Sequence, residues 1–313
     1  MKHRLVALAC LGLGLGLGLL GPSVRAQAAP PPYPDIADVS HASPGAAAAF
    51  KRFFTAKSAH KPADLMANFS RTGVLYNDVT SGGIWPSWDS LDKTFSGFLP
   101  KAPPAAKSYP VRILGDQHSA IVAFTDTPEL FGRELRIMGA VSFDEHGKII
   151  RWMDYWDGRS SGAKNTIGPT YPTEFHDNVG NATGRIADTA GKLQHAFAAG
   201  DAAGAAAMFS NDAVYEDMAL HGQVLGRLAI QRYLSRALPK APFGPGAELA
   251  HVVGADAGGG YEWRAASGFP QRRGNTALEL DSSGKITRLT VVYDSSLFND
   301  ADYQTLVGLL AER

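Results

Sequence analysis

Cysteine is nearly missing from this chain. The one residue of that type, Cys10, sits inside an N-terminal apolar run that reads as a segment removed on export. The mature chain is therefore expected to hold no disulfide, although an oxidising compartment would permit one. An excess of charge is missing too, since Lys and Arg total 30 and Asp and Glu total 30. Neither half carries a basic block, which speaks against nucleic acid, where phosphate neutralisation needs clustered cations. Beyond Leu20 no apolar stretch is long enough to span a bilayer, so no stable membrane anchor is expected. No set of His, Asp or Glu has metal-ligand spacing, no glycine-rich loop runs from a strand into a helix, and no serine sits in a nucleophile elbow. Chemistry without metal or cofactor is the default.

What is present begins with an export signal. Met1-Lys-His-Arg4 is a basic start, Leu5 to Leu20 is apolar, and Val24-Arg-Ala26 or Ala26-Gln-Ala28 suits a signal peptidase. Residues 1–26 read as a signal peptide, and the protein is expected to be periplasmic or secreted. Residues 27–43, with Ala-Pro-Pro-Pro, read as an extended leader.

The dominant feature is a duplication. Gly147-Lys-Ile-Ile-Arg-Trp-Met-Asp-Tyr-Trp-Asp157 recurs as Gly284-Lys-Ile-Thr-Arg-Leu-Thr-Val-Val-Tyr-Asp294, keeping Gly, Lys, Ile, Arg and the final Asp. Upstream, Tyr76 and Asp78 are echoed by Tyr215 and Asp217 at nearly the same offset. Two such landmarks mark a tandem repeat. Residues 44–157 form the first unit, 158–184 a glycine-containing linker, and 185–313 the second unit with a C-terminal helix. In the first, Ser43-Pro44 opens a helix with Phe50, Phe53 and Phe54 at one-turn spacing. A short helix follows from Pro62, a strand from Val74 to Val79, and a helix from Ser87 to Leu99. Four strands then run over 108–114, 118–125, 133–143 and 147–155. The second half repeats that order.

With this order of elements the chain resembles the nuclear transport factor 2-like superfamily, in its polyketide cyclase (SnoaL-like) and limonene-epoxide-hydrolase-like branches. The motifs behind the resemblance are Tyr215-Glu-Asp217, His221-Gly222, Gly226-Arg-Leu-Ala-Ile230 and the Gly-Lys-Ile-x-Arg strand in both halves. It implies an α+β fold of two cone-shaped repeats, each a strongly curved antiparallel sheet packed against about three helices. It also implies a small, mostly apolar ligand at the mouth of the cone, and sheet-to-sheet pairing. The two repeats are expected to pack on each other, the mature protein being a monomer or a homodimer of tandem chains.

Strand alternation puts Trp152, Asp154 and Trp156 on one face of the last strand of the first repeat. A carboxyl between indoles has a raised pKa and becomes a usable acid or base. Within the resemblance, Asp154 falls where limonene-epoxide-type hydrolases carry a catalytic aspartate. Asp126 is a second candidate, but Phe124 stands where those relatives have an arginine; Arg133 or Arg136 would have to supply the cation. Tyr76 and Asp78 share a face, and a phenol beside a carboxylate suits an isomerase or dehydratase. His118 is a candidate partner for Asp78 or Asp126. Trp85, Trp88, Trp152, Trp156 and Phe124 are the candidate ligand-lining residues. The second repeat has Val291 and Trp263 in place of Asp154 and Asp126, which makes the first repeat the one expected to handle a ligand.

Two functions stay open on these residues. One is a cofactor-free isomerase, dehydratase, lyase or hydrolase acting on a small hydrophobic or aromatic molecule. The other is a non-catalytic exported protein that binds such a molecule. A purely protein-interacting role would require the pockets to be plugged by their own side chains.

Overall fold

In a computed structural model of the chain, which describes residues 31–162, 182 and 184–311, the two halves build two similar layers of helices on a sheet. The first half runs β1 (Asp38–Ala42), α1 (Pro44–Ser58), α2 (Pro62–Met66), β2 (Leu75–Asp78), β3 (Gly83–Trp85) and α3 (Trp88–Phe98). It continues β4 (Ser108–Gly115), β5 (Ser119–Asp126), α4 (Pro128–Phe131), β6 (Leu135–Phe143), β7 (Ile149–Trp156) and α5 (Gly158–Ser161). The second runs α6 (Arg185–Ala198), α7 (Ala202–Ala206), β8 (Phe209–Asp217), β9 (Gly222–Leu225) and α8 (Arg227–Ala237). Then come β10 (Glu248–Ala255), β11 (Gly258–Arg264), β12 (Arg273–Leu280), β13 (Ile286–Tyr293) and α9 (Asp300–Ala311). The expected signal peptide lies outside the described residues, as does most of the expected linker. Among the described residues no helix is long and apolar enough to cross a membrane.

The two long helices of the first repeat start where side chains satisfy their free amides. Ser43 Oγ accepts from the Ala46 amide at 3.2 Å, and Pro44 supplies a pre-set first turn. Ser87 and Ser90 cap α3 reciprocally. α1 buries Phe50, Phe53 and Phe54 against the sheet, each ring contributing roughly 1.5–3 kcal/mol of burial.

The sheets correct the expected architecture. Each was expected to be an antiparallel, strongly curved cone. Both are mixed sheets whose strands follow an open, linear order: β1-β4-β5-β6-β7-β2-β3 in the first and β10-β11-β12-β13-β8-β9 in the second. Neither closes on itself. β2 lies parallel to β7, β8 parallel to β13, and β1 parallel to β4. Hairpin turns announce antiparallel neighbours in a sequence, whereas these pairings join segments dozens of residues apart and leave no local mark. Residues 38–42, read as leader, are the strand that extends the first sheet beyond β4.

The recurring motif explains how the repeats are joined. Gly147 and Gly284 hold φ of 69° and 84° at the hairpin turn, a region open to glycine at little strain. Lys148 Nζ donates to Ala67 O at 2.7 Å, and Lys285 Nζ to Ala207 O at 2.8 Å, so each lysine caps the end of the short helix in its own repeat. Ile149 and Ile286 enter the two cores. Arg151 ion-pairs with Glu262 across the repeat boundary. Arg288 joins Glu216 at 3.2 Å, and Glu279 is also held by Arg112 of the first repeat at 2.9 Å. Asp157 accepts from the Ser295 amide at 3.0 Å and hydroxyl at 2.7 Å, while Asp294 accepts from the Gly158 amide at 3.0 Å. Each final aspartate thus holds the chain just after the other repeat's last strand.

Between the sheets, Leu114, Ile121, Met138 and Met153 of the first repeat meet Val253, Ala277 and Val292 of the second in one apolar cluster. The expectation that the two repeats pack on each other is met here. Gly260 permits the approach: a Cβ there would lie 2.9 Å from Ile121 Cγ1 and 2.2 Å from Thr276 O.

Candidate functional site

The sheet delivers a tight set of polar groups into the aromatic interior of the first repeat. β7 alternates as expected: Trp152 and Trp156 belong to the helix-facing core, Met153 and Tyr155 to the layer between the repeats. Parallel register places Asp78 of β2 beside Asp154 of β7, and Tyr76 beside Trp152. Asp154 accepts hydrogen bonds at both oxygens, from the Tyr76 hydroxyl at one and from Trp152 Nε1 at 2.5 Å at the other. Asp78 accepts from Trp156 Nε1 at 2.8 Å and from the Ser81 amide at 2.9 Å.

Burial, reinforced by the Asp78 charge, pushes the Asp154 carboxyl up to about 7; the bonds from Tyr76 and Trp152 and the nearby Lys57 ammonium hold it from rising further. Burial also raises Asp78, against the pull of the donors at Ser81 and Trp156. The Tyr76 hydroxyl is raised well above its ordinary value by burial and by the Asp154 charge, so it stays a donor.

Aromatic rings enclose this group. Trp152 stacks on Phe53 with centroids 4.5 Å apart and on Tyr76 at 5.8 Å. Trp85 meets Tyr76 edge-on at 5.6 Å, and its Nε1 donates to Thr94 Oγ1 of α3 at 2.7 Å. Phe124 packs edge-on against Trp152 at 6.0 Å. Trp88 is set apart at the start of α3, where the Arg71 guanidinium lies 3.9 Å over its ring and its Nε1 donates to Met66 O.

Two of the predicted acid–base residues stand elsewhere. Asp126 binds Lys57 Nζ through both oxygens, at 2.9 and 3.0 Å, as a buried ion pair over the Phe124 ring. The cation thus comes from α1 and not from Arg133 or Arg136; Arg136 pairs with Glu134 at 2.9 Å. His118 is exposed in the turn before β5, its amide bonded to Asp116, at the opposite end of that strand from Asp126. It joins neither Asp78 nor Asp126.

Sequence reasoning missed Lys57 and Gly139. A lysine among phenylalanines on an amphipathic helix gives a faint signal of a buried partner. Gly139 gives none: it faces Asp154 across β6, where a Cβ would lie 3.0 Å from Trp152 Nε1 and 3.1 Å from Asp154 Oδ1.

Two concavities among the described residues lie remote from Asp154. One is a surface groove of about 380 Å³ beside Ala202, Leu228 and Arg232, and the other a void of about 10 Å³ between the sheets at Leu114, Ile121 and Ala277. The Trp152 ring occupies the centre of the first repeat.

No family model matches the chain, and no curated protein matches it either. Among solved structures it is similar to an NTF-2 like protein of unknown function from Burkholderia xenovorans, at 22% identity over 38% of this chain and 91% of that one, with a TM-score of 0.30. A steroid delta-isomerase from Pseudomonas aeruginosa is 17% identical over 41% of this chain and 90% of that one, TM-score 0.33. An ntf2-like protein of unknown function from Mesorhizobium loti is 17% identical over 40% and 98%, TM-score 0.32.

The second repeat carries a simpler version of the arrangement. Asp217 accepts from the Ala219 and Leu220 amides, both at 3.0 Å, and from the Tyr293 hydroxyl at 3.3 Å. Burial again lifts the carboxyl to about 7. Tyr293 takes the part that Trp156 plays for Asp78. Val291 stands in the place of Asp154 and is buried in the second core.

Proposed function

We propose that the first repeat binds a small apolar or aromatic molecule carrying one hydrogen-bonding group, in a protein exported to the periplasm or beyond. The observation that carries this reading is the Tyr76–Asp154 couple inside an otherwise aromatic shell. Burying a carboxyl in such surroundings costs free energy that an apolar residue would avoid. The second repeat builds the same layer with Val291 at that place, so the architecture does not require the acid. A ligand would have to enter beside β3, a three-residue edge strand whose Trp85 is only half-buried and edge-on to Tyr76.

Both Asp154 oxygens are already held by Tyr76 and Trp152, and Trp152 fills the centre. Those two facts count against turnover, and a ligand that reaches Tyr76 and Asp154 has to displace the Trp152 indole from the carboxyl. A second reading, cofactor-free acid–base catalysis of the isomerase, dehydratase, lyase or hydrolase kind, is favoured by a carboxyl near 7 beside a phenol donor, a pair matched to proton transfer at neutral pH.

One experiment separates them. Tryptophan fluorescence of the mature chain is titrated with 2-naphthol and cyclohexenone, in the parent, Asp154→Asn and Tyr76→Phe. Saturable quenching that weakens about tenfold in either variant is the outcome expected of a hydrogen-bonded anchor. Deuterium exchange into cyclohexenone that falls about 10²–10⁴-fold in Asp154→Asn would establish the catalytic reading instead. No saturable quenching with either compound defeats both.

A further inference from the structure

We propose that Glu262, a residue of the second repeat, is a positioning residue for the Tyr76–Asp154 site of the first, acting through strand β7. The inference rests on the reading of Tyr76 and Asp154 as the working pair. Its basis is the side of β7 that the site does not use. Trp152, Asp154 and Trp156 point into the first repeat; Arg151 and Tyr155 point the other way, and one carboxylate grips both. Glu262 accepts from the Tyr155 hydroxyl at 2.6 Å through one oxygen and ion-pairs with the Arg151 guanidinium through the other. All three side chains are buried, Arg151 and Glu262 completely. Four residues of strand span roughly 13 Å, so the grip holds β7 on both sides of Asp154.

Two comparisons within the molecule separate this arrangement from a generic interface contact. The other charged contact across the layer, Arg112 with Glu279, is only partly buried, and the layer is apolar where Leu114, Ile121, Met138 and Val292 meet; an apolar filling at Glu262 would serve stability as well as a buried ion pair does. The grip is also one-sided. In the matching strand of the second repeat, Val292 stands where Tyr155 would be, and by strand register Ala123 stands in the first repeat where a counterpart of Glu262 would be. Arg288 turns to Glu216 and Glu279 of its own repeat. The strap is therefore found on the strand that carries Asp154, and is missing from the strand where Val291 replaces it.

The test reads the protonation of Asp154 through the fluorescence of Trp152, whose indole donates to it. The other charged and titratable groups facing Asp154 are Tyr76 and Asp78 from β2, Lys57 from α1 and, behind Lys57, Asp126 from β5. All are kept. The double variant Arg151→Met/Glu262→Gln removes the ion pair without changing net charge, so a shift reports geometry and not a lost charge. Tyr155→Phe loosens the grip while leaving the ion pair intact. With β7 released, the bonds from Tyr76 and Trp152 that hold the carboxyl down lengthen. The fluorescence midpoint should rise by about one pH unit, a tenfold change in proton affinity, and 2-naphthol binding should weaken by about the same factor. Tyr155→Phe should move both the same way by a smaller factor. Val253→Ala, which thins the same interface, should lower stability and move neither. A folded double variant and Tyr155→Phe with unchanged midpoint and affinity would overturn the proposal. A parent chain with neither a midpoint nor naphthol binding would bring down the site itself, and the strap with it.

Discussion

At the scale of single residues, two buried aspartates give this protein an unusual dependence on pH. Asp154 and Asp217 are each lifted to about 7 by burial, against an ordinary value near 3.9 in an unfolded chain. Between those values the folded state holds protons that the unfolded state has released. Stability is therefore highest below about pH 4 to 5 as far as these groups are concerned, and falls as pH rises toward 7, by up to about 1.4 kcal/mol per pH unit for each carboxyl. Above 7 both states are ionised and the loss levels off. Urea midpoints at pH 5, 6, 7 and 8 should decline in that order, and a flat or rising series would contradict the burial of these acids. Gly139→Ala is a second residue-scale case. Its added methyl meets Trp152 Nε1 and Asp154 Oδ1 at about the contact limit, so it should destabilise by about 1–3 kcal/mol and shift the tryptophan emission. Ala at Gly73, where nothing lies within 4 Å, is the comparison that should leave the emission alone.

Among elements, the legible ones were those whose signal is local. The helices α1, α3, α6 and α8 declare themselves through one-turn apolar spacing, α1 and α3 through serine caps as well, and the four long strands of each repeat through alternation between turns. The short edge strands β3 and β9 were hidden inside turn-rich sequence, where three or four residues are too few to show a period. β1 was hidden by the prolines that precede it. The parallel pairings were out of reach because nothing in β2 says that it will lie along β7. The same distance explains the site. Alternation along β7 put Asp154 between tryptophans on one face, but that Asp126 would find Lys57 depends on α1 crossing the end of β5, a matter of packing. β11 offers a test at this scale. Gly260→Ala should cost about 1–3 kcal/mol by forcing a methyl against Thr276 O and Ile121, read as a fall in melting temperature. Ala at Gly308 on α9, where nothing lies within 4 Å, should be neutral or better.

At the scale of the whole molecule, the two copies differ in a consistent way. What recurs in the motif (Gly147 and Gly284, Lys148 and Lys285, Ile149 and Ile286, Asp157 and Asp294) serves turns, caps, cores and the junction between repeats. What does not recur, Asp154 with its flanking tryptophans and the Glu262 grip, gathers at the candidate site. The members of the site and its strap that do recur, Tyr76, Asp78 and Arg151 as Tyr215, Asp217 and Arg288, are in the second repeat without the acid at Val291 and without the Glu262 grip. The repeats share an apolar layer and buried charge pairs, so heat should unfold them in one transition, with calorimetric and van't Hoff enthalpies in agreement. Two resolved transitions would mean that the junction is weaker than its contacts imply.

The exchange of final aspartates carries that thought further. Asp157 closes the turn after the second repeat's last strand, and Asp294 closes the one after the first. Each half thus holds part of the other's closing turn as well as its own. A half produced alone would keep its final aspartate on the amides of its own next turn but lose the bonds that tie that turn to its absent twin. Divided between two polypeptides, the halves should find each other again and fold only as a pair, and a stretch of chain that began as a duplicate can no longer be lost.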